Sequence, residues 1–190
     1  IADAQASPVF VAADLLSQAE HGADSQVILL TDSEDLAQQV QAELVRQLTV
    51  LSRREIVQRS LEHARILLVD SLAEAIAISN RYAPEHLILQ CQDARSWVTE
   101  VSNAGSVFVG AWTPESVGDY CSGTNHVLPT YGYARNYSGL GVDQFMRQMT
   151  VQELTREGLE GLAPTVNVLA GLEGLDAHAA AVNLRLANKR

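Results

Sequence analysis

Four short apolar runs, each set off by a helical stretch, constrain the fold of this chain more than any other feature. They are QVILLT (26–31), RILLV (65–69), a short run over His86–Leu89, and GSVFV (105–109). Runs this short and this continuously apolar read as strands buried on both faces. Parallel neighbours need a crossover between them, and helices supply it here. Ser7 and Pro8 make a cap and first-turn pair ahead of VFVAADLLSQAEHG, with Val11, Leu15 and Leu16 on one stripe and Gly22 as the stop. Asp32 or Ser33 caps EDLAQQVQAELVRQL, in which Leu36, Val40, Leu44 and Leu48 keep helical spacing. Further helices are expected over roughly 53–63, over SLAEAIAISNRYA, and near 94–101. Strand alternating with helix predicts an α/β domain with a largely parallel sheet.

The alternation breaks at residues 114–141, PESVGDYCSGTNHVLPTYGYARNYSGLG, which show neither helical nor strand period. Five of the twelve glycines fall here, with Tyr120, Tyr131, Tyr133 and Tyr137 among them. A run this long without pattern is either disordered or an ordered functional loop, and four tyrosines favour the ordered loop. Phe145–Val151 has an extended character, and from Val151 onward the text is helical. The expected boundary lies near residue 140, between an α/β part and a helical tail.

The formal net charge of −10 argues against nonspecific binding to nucleic acid or anionic membrane, since Arg53 and Arg54 form the densest internal basic spot. No apolar run approaches the length of a membrane span. Cys91 and Cys121 lack metal-type spacing and read as free thiols of a reducing cytoplasm. The chain opens on IADAQASPVF without a Met, and Ile1-Ala2-Asp3 reads like the end of a strand. A domain seldom begins there, so the expectation is the C-terminal piece of something longer.

Several polar groups could carry chemistry. Gln18 and His21 are three apart on the first helix and project from one face, a pattern that serves a metal or a merely solvated surface. Pro84-Glu85-His86 stands at a helix-to-strand junction, where adjacent Glu and His suit acid/base work, though a structural cap fits as well. Asp119 and His126 offer the oxygen and nitrogen donors of a zinc-type ion, or a turn and a surface imidazole. Glu173 and His178 resemble ordinary exposed helical residues.

Taken together and in order, DLLSQAEHG (14–22), RYAPEHL (81–87), AGSVFVG (104–110), SVGDYCSGTNHVLPT (116–130) and the tail from ARNYSGLGV through GLDAHAAAVNLRL resemble histidinol dehydrogenase over nearly the whole chain. The resemblance implies an incomplete Rossmann-like, three-layer α/β domain at 1–140 carrying most metal and catalytic residues. It implies a helical dimerisation domain at 141–190 that completes the site. The implied activity is the zinc-dependent oxidation of L-histidinol to L-histidinaldehyde and then L-histidine, with two NAD reduced, in the cytoplasm. Gln18, His21, Asp119 and His178 would be the zinc ligands, and Glu85 and His86 the acid/base pair. Those same ligands with His86, His126 and Glu173 would contact substrate, and His178 and Glu173 would reach the partner of a homodimer. Family members are more than twice this length, and the missing N-terminal part would carry most of the NAD surface; no G-x-G-x-x-G fingerprint occurs here. The piece alone is therefore expected to be inactive. Two other classes stay open on the residues themselves: a zinc-dependent hydrolase, although no H-E-x-x-H is present, and a noncatalytic interaction fragment.

Overall fold

In the computed structural model, residues 1–188 are described, and they divide into two compact units, Ile1–Phe145 and the described residues from Met146 onward. The first holds helix α1 (Pro8–Ala19), strand β1 (Ile28–Thr31), α2 (Glu34–Leu48), α3 (Arg54–Leu61), β2 (Arg65–Leu68), α4 (Leu72–Tyr82), β3 (His86–Leu89), β4 (Ser106–Val109) and α5 (Glu115–Tyr120). The second holds α6 (Arg156–Glu173) and α7 (Asp176–Ala187).

The strands pair in parallel. Residues Ile28–Thr31 of β1 lie opposite Arg65–Leu68 of β2, and His86–Leu89 of β3 opposite Ser106–Val109 of β4. Ala2 bridges in parallel to both Thr31 and Gln90. The Ala2 amide donates to the Leu30 carbonyl at 3.0 Å, and the Gln90 amide donates to the Ile1 carbonyl at 2.8 Å. The opening residues thus act as the central rung that joins the two strand pairs, giving the order β2–β1–Ala2–β3–β4. That is the parallel α/β arrangement the strand–helix alternation predicts.

Both faces of the sheet are covered near its middle. On one side Leu29 packs with Val11 and Ala12 of α1 and Leu36 and Val40 of α2. On the other, its neighbour Leu30 packs with Val69 and Ala75. Successive side chains of a strand point to opposite faces, so one short apolar run feeds two helical layers. Ile76 of α4 covers Leu87 and Leu89, the latter wholly buried. Strand β2 differs from expectation: Leu67 and Leu68 are exposed, because β2 is an edge strand with a single neighbour.

Local signals set the helix ends. The Ser33 hydroxyl accepts from the Leu36 amide and Ser71 from the Glu74 amide, which caps α2 and α4. Helix α4 stops at Ala83, a left-handed residue (φ 57°), immediately before Pro84, whose successors Glu85 and His86 enter β3. The helix expected near 94–101 is a single 3-10 stretch, Ser96–Glu100. The extended segment expected at 145–151 carries no strand, and helix begins only at Arg156, where the Thr155 hydroxyl caps α6 by accepting from the Gly158 amide. Gly174, left-handed at φ 69°, separates α6 from α7. Reciprocal bonds between the Asn167 and Asn183 side chains, and from Arg156 to the Leu186 and Asn188 carbonyls, clamp these two helices as an antiparallel pair. Among the described residues no helix is long and apolar enough to cross a membrane.

Candidate metal and acid–base centre

Three elements of the first unit converge on one place: the end of α1, the start of β3 and the short helix α5. The last of these lies inside the stretch that shows no period in the sequence. Residues Glu115–Tyr120 are nevertheless helical, with Pro114 at the N-cap position, while the rest of 114–141 holds one 3-10 turn at Tyr133–Arg135. Six residues span under two turns, too few for an apolar period to register. Asp119 is therefore a helical residue, four positions after Glu115 and on the same face.

His21 differs from expectation in the opposite sense. Helix α1 ends at Ala19 with Glu20 as C-cap, so His21 sits just past the terminus, its amide donating to the Gln18 carbonyl. The final turn still carries Ser17 and Gln18 toward the site.

Two glycines set how closely these elements approach. Gly105 lies against the dyad: a Cβ there would stand 2.6 Å from the Glu85 carbonyl oxygen, and the Gly105 and Ser106 amides donate to the Pro84 and Glu85 carbonyls at 2.9 Å each. Gly118 lets α5 settle on Phe108 of β4; a Cβ there would meet the ring at 2.8 Å. The Phe108 ring in turn backs the His86 imidazole, with centroids 5.8 Å apart and planes tilted by 49°. Glycine on α5, an aromatic on β4 and an imidazole on β3 thus form one packed stack.

Glu115 lies at the centre of this convergence and is 2% exposed. Its Oε2 accepts a hydrogen bond from the Ser17 hydroxyl at 3.1 Å. Its Oε1 stands 3.9 Å from Nε2 of His21 and 3.9 Å from Nε2 of His86. Donor atoms of His21, Glu115 and Asp119 all lie within 4.8 Å of one another, an arrangement that could hold a metal ion. Oε1 of Gln18, Oε1 of Glu115 and Nδ1 of His86 are buried without a hydrogen-bond partner. Orphaned buried polar atoms are costly unless something satisfies them. An imidazole, two carboxylates and an amide oxygen match the nitrogen and oxygen donors that zinc takes.

Burial tunes the acid–base groups in opposite directions. It pushes the Glu85 carboxyl above its usual range, with His21 opposing and Asp119 adding to the rise. It pushes the His86 imidazole below its usual range, partly countered by Asp119 and reinforced by His21. Burial also raises Glu115, helped by the hydrogen bond and charge of Asp119 and opposed by Ser17 and His21. Desolvation disfavours each charged form, so a neutral imidazole adjoins a carboxyl that holds its proton longer than usual. A cavity of about 980 Å³ opens beside them, lined by Gln18, Glu85, His86 and Glu115 together with Asp14 and Tyr131.

The expected site residues thus fall into two groups. Gln18, His21, Glu85, His86 and Asp119 are brought together. His126 is exposed in the loop after α5 and is neither in the donor cluster nor among the cavity residues. Glu173, the last residue of α6, and His178, in the first turn of α7, are exposed on the second unit. Glu115 is the residue that sequence reasoning missed. Its signal was Thr113-Pro114-Glu115, a helix-start pattern, followed by a second carboxylate four residues on.

Curated relatives named histidinol dehydrogenase include one from Mannheimia succiniciproducens, 58% identical over 187 residues, covering 98% of this chain and 44% of the relative. A chloroplastic one from Arabidopsis thaliana is 57% identical over 188 residues, covering 98% of this chain and 40% of the relative. The crystal structure of histidinol dehydrogenase from Elizabethkingia anophelis superposes with a TM-score of 0.93 at 50% identity, covering 98% of this chain and 43% of that one. The chain therefore spans less than half the length of the relatives it matches. With the histidinol dehydrogenase family model matching residues 1–186, the chain belongs to the histidinol dehydrogenase family.

Proposed function

We propose that this chain carries the metal-binding and acid–base half of an enzyme that oxidises L-histidinol to L-histidinaldehyde and then to L-histidine. The observation that carries the reading is the cluster of His21 and Asp119 around Glu115, which stands 3.9 Å from His86 and lines one cavity with the Glu85–His86 pair, in a chain of this family. Gln18, His21 and Asp119 would hold zinc from this unit, and His178 would join them. Bound there, zinc would supply an orienting template with some Lewis-acid polarisation for the amino and imidazole nitrogens of the substrate.

The residues of the chain perform the proton work. His86, kept neutral by burial, takes the hydroxyl proton as hydride departs from the carbinol carbon. For the second oxidation Glu85 activates the water that adds to the aldehyde, and His86 again accepts the hydroxyl proton. His126 and Glu173 hold the substrate in this reading. NAD is the family's hydride acceptor, but this chain has no dinucleotide fingerprint, so its own share is metal, substrate and proton.

The site is completed across a homodimer in the same proposal. In support, α6 and α7 expose Leu162, Val168, Leu169, Leu172 and Leu184, apolar surface of the kind that subunit interfaces cover. A 1–140 catalytic part, a 141–190 dimerisation part and a cytoplasmic location complete the reading, although one relative is chloroplastic. The test is NADH formation from L-histidinol and NAD by the full-length protein that contains this chain. It should be lost by about 10²-fold or more in His86→Asn, and absent from the 190-residue chain alone. Amide or ester hydrolysis without NAD would point instead to a zinc-dependent hydrolase.

A further inference from the structure

We propose that Glu115 is itself a ligand of the metal ion in the substrate-free protein, joining Gln18, His21 and Asp119. The inference rests on the reading of this centre as a metal site and adds a donor to it. A carboxylate that is 2% exposed needs a counter-charge, yet among the described residues no lysine or arginine forms an ion pair with Glu115. Its two oxygens are treated differently. Ser17 holds Oε2 from behind, as an outer partner orients a ligating carboxylate. Oε1 is buried with no N–H or hydroxyl donor and stands 3.9 Å from each of two imidazole nitrogens, while the Asp119 carboxyl beside Glu115 is a like charge that a shared cation would offset.

The spacing suits one ion. Ligand bonds of about 2.0–2.2 Å place two donors on the same ion roughly 3–4.4 Å apart, depending on the angle between them. The 3.9 Å from Glu115 Oε1 to His21 Nε2 lies in that range, and Asp119 lies within the same 4.8 Å cluster. Gln18 adds a second buried, unpartnered oxygen from α1. Three donors from α5 and the end of α1 therefore lie within 4.8 Å of one another, and Gln18 offers a fourth from the lining of the same cavity as Glu115. In the proposed reaction the substrate brings two nitrogens to the metal, so a position held by Glu115 in the free protein is one the substrate can take over.

The experiment uses the full-length protein loaded with Co²⁺ or Zn²⁺, without histidinol, as wild type, Glu115→Gln, Glu115→Ala and His21→Ala. Chelator competition reads affinity, and the visible spectrum of bound Co²⁺ reads the ligand set. Glu115→Ala should lower affinity by about ten- to a hundredfold and change the spectrum. Glu115→Gln, which keeps an oxygen in place, should recover part of the affinity. An unchanged Co²⁺ spectrum in both Glu115 variants, with His21→Ala losing the metal, would overturn the assignment while leaving the metal site intact. If wild type binds neither ion, the reading of the centre as a metal site falls with it. Should Glu115→Ala not fold, a zinc-loaded wild-type crystal decides: Oε1 beyond about 3 Å from the ion is not a ligand.

Discussion

The two units of this chain use apolar residues in opposite ways. Ile1–Phe145 buries its leucines and valines in four clusters, and its site hangs on the elements those clusters fix. Among the described residues from Met146 onward only Ala163 and Ala170 are buried, no residue of α7 is fully buried, and most of the larger apolar side chains are exposed. The first unit specifies its own interior, whereas the second pairs its helices through small residues and asparagine bonds and turns its bulk away. A side chain's energetic weight follows the surface it removes from water, so equal substitutions should have unequal effects in the two units.

The sharpest way to break the contrast is a pair of leucine truncations in the 190-residue chain at low concentration. Leu89→Ala, in the wholly buried position on β3, should destabilise the first unit by about 2–5 kcal/mol in urea unfolding. Leu172→Ala, 79% exposed on α6, should change stability by no more than about 0.5 kcal/mol. Equal losses would mean that α6 is covered within a single chain.

Gly118→Ala tests whether the site depends on close packing in the first unit. The added methyl meets Phe108 at 2.8 Å, so α5 must shift, at a cost of about 1–3 kcal/mol. Gly171→Ala, where nothing lies within 4 Å, should not destabilise α6 and should raise its helix propensity. Thermal unfolding of both variants makes the comparison.

Titration gives a smaller effect. Folding lowers the His86 pKa below its ordinary 6.5, chiefly by burial, so the unfolded chain binds more protons than the native one just below pH 6.5. The His86 contribution is therefore full above that value and is lost as pH falls through 6.5 toward the depressed native value. The buried Ile1 amino group, lowered from 8.0, acts in the same direction, so urea unfolding at a series of pH values should show a shallower decline below pH 6.5 in His86→Asn than in wild type. A decline that persists unchanged in the variant would mean another group is responsible.

The smallest expected effect concerns the thiols. Burial pushes the Cys91 thiol up to about 11, whereas Cys121 is exposed after α5. A thiol reagent at neutral pH should label Cys121 in the native chain and leave Cys91 until unfolding, as read by mass spectrometry. Cys121→Ala should leave the dehydrogenase activity of the full-length protein unchanged.

Much of the architecture is legible in the amino-acid sequence. The limits Glu34–Leu48 and His86–Leu89 coincide with the elements found, because a serine cap and a proline turn are local signals that no distant contact has to supply. Legibility fails where a segment is short or its burial depends on neighbours. Helix α5 is too brief to show a period, and the apolar run at Arg65–Leu68 cannot reveal that it lies at an edge. The four tyrosines suggest an ordered loop, yet their side chains are largely exposed. Contacts such as the Leu140 amide to the Val127 carbonyl and Arg135 to the Arg81 carbonyl tie the segment instead.

The sequence by itself determined the strand–helix order, the parallel sheet and the family, since these follow from local periodicity and from the order of PEH, GDYCSGTNH and the other motifs. Only the tertiary structure decided that Ala2 is the rung between two strand pairs, and that Glu115 stands between two imidazoles supplied by α1's end and β3. The physical reason is the same in both cases. Hydrogen bonding across a sheet and desolvation of a buried carboxylate depend on groups far apart in the chain, and no local pattern of residues encodes that distance.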